Sequence, residues 1–197
     1  MILLAETPEL LPPSPSRDDI ARSLEAAHLA GWRIYQIPPD FSQCESAENA
    51  LWQVPKQRKP TPTVWLGYIP DFARYGAIFE AAQQKNLILL STPHQHQTIQ
   101  EFDRAYPFLE GLTPRSAMVD SVTAALEIAP HIGFPIFVKG AVQSRKSRGW
   151  NACVAQNGQE LETLCLHLLE LENRSRGRVV LRELVALRTR AVRAISP

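Results

Sequence analysis

The chain has 197 residues, 45% hydrophobic and 21% charged, with a formal net charge of +1. That length makes one full domain or two small ones and buries a core without a disulfide or structural metal, and the composition excludes wholesale disorder. No run of about 18 apolar residues is present, so no helix is expected to span a membrane.

Residues 1–4 are apolar but lack a basic flank and a small-residue cleavage site, and Glu6 interrupts the run, which makes a poor signal peptide. Cys44, Cys153 and Cys165 are odd in number and widely spaced. They read as free thiols in a reducing compartment, and a cytoplasmic protein is expected. The small net charge conceals an asymmetry. Residues 1–138 carry 10 Lys/Arg against 15 Asp/Glu, whereas residues 139–197 carry 11 against 5. The basic end points either to an anionic partner, such as a nucleotide or nucleic acid, or to a solvated arginine-rich surface.

In chain order, residues 2–5 form a short apolar strand followed by a loop containing Pro8, Pro12, Pro13 and Pro15. Ser16 is the expected N-cap of a helix, with Asp18 and Asp19 in its first turn, Ile20, Leu24 and Ala27 on one stripe, and Gly31 at its end. Residues 32–37 read as a strand, 46–53 as a weaker helix and 57–62 as a basic, proline-rich loop. Residues 64–69 are a continuous apolar strand. Phe72, Tyr75, Phe79 and Ala82 lie at helical spacing, 87–90 form a second buried strand, and 97–105 a further helix. Apolar strands alternating with amphipathic helices predict a small doubly wound α/β domain over residues 1–112, its parallel sheet covered on both faces. No Gly-x-Gly-x-x-Gly follows any strand, so a dinucleotide site is not supported.

After Gly111 the order changes to α+β. Residues 116–119 form a strand, and Asp120-Ser121 cap a helix ended by Pro130 and Gly133. A strand over 135–140 runs into a polar, basic loop over 141–151. A strand over 152–156 follows, then a helix over 158–172 with Leu161, Leu164, Leu168 and Leu171 on one stripe. The last strand is 179–185. A domain boundary near 110–115 is expected.

Three stretches carry candidate chemistry. Lys139 ends an apolar strand, so its stem is buried and its ammonium is held as a point charge, as in phosphate binding; a lysine snorkelling from a strand edge is the plainer alternative. The loop after it offers Ser144, Arg145, Lys146, Ser147, Arg148 and Gly149 on the same hairpin, and main-chain amides with Lys146 can fold over phosphates. The strand 179–185 runs out through Glu183, Leu184 and Val185, where backbone groups can read the edge of a purine. His94 and His96 read as surface histidines of a loop with no third ligand nearby. His28, His131 and His167 read as ordinary, and Cys153 and Cys165 lack a partner pattern for nucleophilic use.

Together, Gly133-Phe134-Pro135-Ile136-Phe137-Val138-Lys139-Gly140, the basic loop through Gly149, and Val179-Val180-Leu181-Arg182-Glu183-Leu184-Val185 resemble the ATP-grasp superfamily. Leu109-Glu110-Gly111-Leu112-Thr113-Pro114-Arg115 looks like the entry from the preceding domain into the grasp. The resemblance is strong over 113–185 and rests on strand–helix order alone over 1–112. It implies a pre-ATP-grasp α/β domain (1–112) followed by an α+β first grasp lobe (113–185). ATP is then the expected ligand. Lys139 matches the lysine at the α-phosphate and adenine. Lys146, with Arg145 and Ser144, matches the loop over the β- and γ-phosphates, and Glu183, Leu184 and Val185 match the adenine-reading linker. Most members join a carboxylate to an amine through an acyl phosphate, so a small carboxylate or amine substrate is implied; catalytic residues are not assigned.

Two departures stand out. Ala186-Leu187-Arg188-Thr189-Arg190 has no carboxylate for a ribose. No Asp, Glu or Asn follows Glu183, so the Mg2+ ligands are expected in a second lobe that is missing here. Residues 186–197 then read as a truncated tail, and this chain alone is expected to be inactive unless another chain or a homo-oligomer supplies the lobe. The rival reading is a non-enzymatic module binding an anion or nucleic-acid backbone through Arg174, Arg176, Arg178, Arg182, Arg188, Arg190 and Arg193. Aromatic residues do not interleave there, which weighs against nucleic acid.

Overall fold

The computed structural model describes residues 1–39 and 44–185. The chain divides into two compact units, Met1–Ile99 and Gln100–Pro197. One holds a parallel sheet and the other an antiparallel sheet, the mixed α/β class expected.

In the first unit, β1 (Ile2–Glu6), α1 (Pro15–Leu29), β2 (Arg33–Ile37), α2 (Ala47–Ala50), β3 (Thr61–Leu66), α3 (Phe72–Gln84), β4 (Leu87–Leu89) and α4 (Pro93–Gln100) follow in order. The strands are parallel in the order β2-β1-β3-β4. β1 is buried throughout, because its alternating side chains feed cores on both faces of the sheet. Ile2 and Leu4 pack with Ile37, Tyr75 and Ile78. Leu3 and Ala5 pack with Ile20 and Leu24 of α1. Glu6, at the carboxyl end of β1, is fully buried. It is paired with Arg74 at 2.7 Å and accepts the Tyr68 amide at 2.7 Å. Gly67 is required beside it, since a Cβ there would lie 2.7 Å from the Glu6 carboxyl carbon.

Three local expectations are corrected. The N-cap of α1 is Ser14, not Ser16: its hydroxyl accepts the Arg17 amide at 3.2 Å, and Pro15 takes the first helical position, where no amide hydrogen is needed. β3 starts at Thr61 rather than Val64 because β4 pairs with Thr61 and Pro62. His94 and His96 lie on a helix rather than a loop. Thr92 and Gln95 cap α4 reciprocally, each side chain accepting the other's amide, at 2.9 and 3.3 Å. His96 is buried and stacked on Tyr75, ring centroids 3.9 Å apart.

The second unit comprises α5 (Phe102–Leu109), β5 (Ser116–Val119), α6 (Val122–Ile132), β6 (Ile136–Gly140), β7 (Val154–Ala155), α7 (Gly158–Glu170), α8 (Glu172–Ser175) and β8 (Val179–Glu183). Its sheet is antiparallel in the order β5-β8-β6-β7. The single helix expected over 97–105 is two, α4 and α5, separated at Glu101, whose extended backbone turns its carboxylate inward. α5, placed before the domain boundary by sequence, packs with the second unit. Ser121 caps α6 as expected, and Gly133 ends it at φ +87°, a conformation that favours glycine.

Candidate functional site

Val119, Ile136, Val138, Val179 and Leu181 of the antiparallel sheet share one buried core with α6 and α7. Strand alternation therefore turns Phe137, Lys139, Val180 and Arg182 to the opposite face. On the two central strands Phe137 is in register with Arg182, and Lys139 with Val180. Phe102, the first residue of α5, joins this face, its amide donating to the Ala141 carbonyl at 2.8 Å. The Lys139 ammonium lies 4.9 Å from the centre of the Phe102 ring and the Arg182 guanidinium 5.2 Å from it. Lys146 reaches back from the following loop to within 5.6 Å of the Phe137 ring centre. Arg182 also donates to the Thr113 hydroxyl.

The result is three cations and two aromatic rings on one sheet face. None of Lys139, Lys146 and Arg182 has an ion-pair partner among the described residues. The neighbouring carboxylates are engaged elsewhere, Glu183 with Arg115 at 3.2 Å and Asp103 with Arg178 at 3.1 Å. Burial pushes the Lys139 ammonium below the usual lysine range; Arg182 and Lys146 push it further, and Asp103 opposes them weakly. Such a face is complementary to a multiply charged anion with an apolar or aromatic portion.

The loop leaving β6 is pinned at its base. The Arg174 carbonyl accepts the amides of Val142 and Gln143 at 3.0 and 3.1 Å, and the Arg174 guanidinium donates to the Ser144 carbonyl at 2.7 Å. Ala141 and Val142 are buried, whereas Lys146 through Trp150 are exposed. Two short 3-10 turns, Lys146–Arg148 and Trp150–Ala152, meet at Gly149, whose φ is +92°. Gly140 permits this arrangement, since a Cβ on it would lie 2.1 Å from the Arg174 carbonyl oxygen. Gly140→Ala must push backbone against backbone and is expected to destabilise the second unit by about 1–3 kcal/mol. Thermal denaturation followed by circular dichroism checks this; an unchanged melting temperature would show that the contact relaxes freely.

Of the residues singled out by sequence, Lys139 and Lys146 are brought together on this face. Ser144 is engaged through its carbonyl, and Arg145 is half-buried at the start of the Lys146–Arg148 turn. The Glu183 amide donates to the Arg115 carbonyl at 2.9 Å, extending the sheet to the point where Leu184 and Val185 run out, Val185 being exposed. Phe102 was missed, and Phe137 and Arg182, though inside the stretches that carry the resemblance, were given no role there; Arg182 was counted only in the arginine cluster of the rival anion-binding reading. Alternation along β8 gave a signal for Arg182, but its partner strand and register did not follow from sequence.

The arginine cluster is largely internal. Arg174 holds the loop, while Arg176, Arg178 and Arg104 converge on the buried carboxylate of Glu101. Arg188, Arg190 and Arg193, with the whole tail 186–197, lie outside the described residues. Cys44, Cys153 and Cys165 form no disulfide, and burial pushes the Cys165 thiol up to about 11. Among the described residues no group of three or more His, Cys, Asp or Glu is placed to hold a metal, and no helix is long and apolar enough to cross a membrane.

No family model and no curated protein sequence matches the chain. Solved structures do. D-alanyl-alanine synthetase A from Vibrio cholerae aligns over 94% of this chain and 60% of its own length, at 14% identity and a TM-score of 0.55. D-Alanine-D-alanine ligase from Helicobacter pylori aligns over 93% and 66%, at 12% identity and 0.56. N5-carboxyaminoimidazole synthase from Aspergillus clavatus, in complex with ADP and 5-aminoimidazole ribonucleotide, aligns over 93% and 46%, at 11% identity and 0.55. The chain thus spans about half to two thirds of these proteins' length. These likenesses show the fold alone: the chain shares it with solved ligases and synthetases, among them a RimK domain ATP-grasp protein from Sphaerobacter thermophilus at 8% identity and a TM-score of 0.51, in line with the fold that the sequence resemblance implied.

Proposed function

We propose that the open face of the antiparallel sheet binds ATP, and that the chain forms the pre-ATP-grasp domain and first grasp lobe of a carboxylate–amine ligase. The observation that carries this reading is Lys139, a half-buried ammonium on a central strand, facing Lys146 of the following loop in an ATP-grasp fold. In this reading Lys139 holds the α-phosphate. Lys146, with Arg145, Ser144 and the loop amides, covers the β- and γ-phosphates. The backbone of Glu183, Leu184 and Val185 meets the adenine edge. Solved structures of the same fold that contain ADP support a nucleotide here.

The reaction class that goes with it is acyl-phosphate ligation. A carboxylate oxygen attacks the γ-phosphorus and ADP departs; an amine then attacks the acyl carbon and phosphate leaves. This chain's residues bind and orient the nucleotide and counter its charge. Among the described residues they do not make a magnesium site, since Asp103 and Glu183, the carboxylates beside the face, are held by Arg178 and Arg115.

Calorimetric titration with ATP and GTP at fixed salt tests the reading. Saturable binding that discriminates the two bases supports it. Binding that ignores the base and collapses with salt, in the manner of a phosphate-backbone binder, overturns it. The loop supplies a second readout. It is exposed and rich in like charge, so trypsin is expected to cut after Arg145, Lys146 or Arg148, and ATP to slow that cleavage. Cleavage unchanged at saturating ATP would show that the loop does not cover the ligand.

A further inference from the structure

The reading above leaves Arg182 without a role, yet its placement is as specific as that of Lys139. It projects from central strand β8 onto the same face, opposite Phe137, and it shares the Phe102 ring with Lys139. The Thr113 hydroxyl takes one of its guanidinium hydrogens and thereby fixes its orientation. A guanidinium has five donors in a planar fork, so the rest stay available to a ligand. No carboxylate among the described residues neutralises it. A cation held next to two others, on apolar rings and without a counter-ion, is repelled by its own neighbours until an anion of several charges arrives.

We propose that Arg182 is a second phosphate-contacting residue of this face, and that with Lys139 and Lys146 it selects a polyphosphate-bearing nucleotide over a monophosphate. This inference rests on reading the face as nucleotide-binding and extends it to Arg182, which lies within the stretch that carries the resemblance but to which the resemblance gave no role. Phe102 is the device that couples the two sides. With its amide anchored to the Ala141 carbonyl, its ring lies within 4.9 Å of the Lys139 ammonium and 5.2 Å of the Arg182 guanidinium.

The test is a set of titrations with ATP, ADP, AMP and inorganic tripolyphosphate on the full chain and on Arg182→Gln, Arg182→Lys and Lys139→Gln, with a melting curve for each. Loss of a charge-assisted contact predicts ATP binding roughly 10- to 100-fold weaker in Arg182→Gln, with AMP affected much less and most of the loss recovered in Arg182→Lys. An equal loss for ATP and AMP, or a loss that follows a lowered melting temperature in both Arg182 variants, would assign Arg182 a purely structural role and overturn the proposal. If Arg182→Gln binds ATP like the parent while Lys139→Gln does not, Arg182 fails and the nucleotide reading stands. If the parent binds tripolyphosphate as tightly as ATP and Arg182→Gln weakens both, the polyphosphate contact stands and the nucleotide reading fails. A parent that binds none of the four overturns both.

Discussion

Glu101→Ala is expected to give the largest loss of stability of any single substitution in the second unit. Glu101 is 1% exposed, and its carboxylate accepts from Arg104 at 3.0 Å, from Arg176 at 2.5 Å and from Arg178 at 2.6 Å. These bonds tie the start of α5 to the turn before β8, where Arg176 adopts a left-handed backbone with φ of +48°. Truncation removes the carboxylate that the three guanidinium groups share, with Arg178 keeping Asp103 at 3.1 Å. Removing one member of a buried ion pair costs about 3–5 kcal/mol. The lower end applies here, because Arg104 and Arg178 keep partial access to water. At about 4 °C per kcal/mol, the transition of this unit should fall by roughly 10 °C. Glu101→Gln, which keeps the shape and removes the charge, should recover only part of it. A melting temperature within a degree or two of the parent would show that the arginines re-pair at no cost.

Lys139→Met is expected to do the reverse, sparing the fold and impairing the ligand. Its ammonium is partly desolvated and lies beside Arg182 and Lys146, so the charge opposes folding. The sign follows from proton counting. A lysine titrating lower in the folded state than in the unfolded leaves the unfolded chain holding more protons in that interval. Stability from this group therefore rises with pH there and is reduced below it. Methionine removes the penalty, and the melting temperature at neutral pH should be unchanged or higher. Nucleotide affinity should fall by about 10- to 150-fold, the equivalent of about 1.5–3 kcal/mol for a lost charge-assisted contact. In the parent, ATP binding should weaken as pH rises through the lowered Lys139 range, and that dependence should vanish in the variant. Calorimetry over pH with a parallel melt checks both halves. Unchanged affinity in the variant would remove Lys139 from the site. A charge that lowers stability and that a bound anion would satisfy is the mark expected of a binding residue rather than a structural one.

Much of the architecture was legible from residue pattern. The continuous apolar runs of β1, β3 and β4, alternating with the helical stripe of α3, specify a two-sided parallel sheet, and the change of style after Gly111 marks the antiparallel unit. Caps were read well where a hydroxyl stands directly before the helix, as at Ser121, and misread where proline intervenes, as at Ser14 and Pro15. The capping box at Thr92 and Gln95 was visible in sequence and passed over, because a Pro/Gln/His-rich stretch resembles a loop until reciprocal side-chain bonds are considered.

By itself the sequence determined the alternation of elements, the strand that ends in Lys139 and the basic loop beside it, because apolar periodicity and turn residues act over a few positions. It also determined the excess of arginine near the end, but not what that arginine does. Only the tertiary structure decided that Arg174, Arg176 and Arg178 turn inward onto the Ser144 carbonyl and Glu101, while Arg182 turns out beside Lys139. The reason is physical. A side chain's face depends on strand register, and its charge is either neutralised or left open by a partner some 75 residues away. Glu101 lies before the antiparallel sheet and reaches the arginines only once β6 and β8 are paired, so no local pattern could have separated the arginines that hold the fold from the one left on the open sheet face.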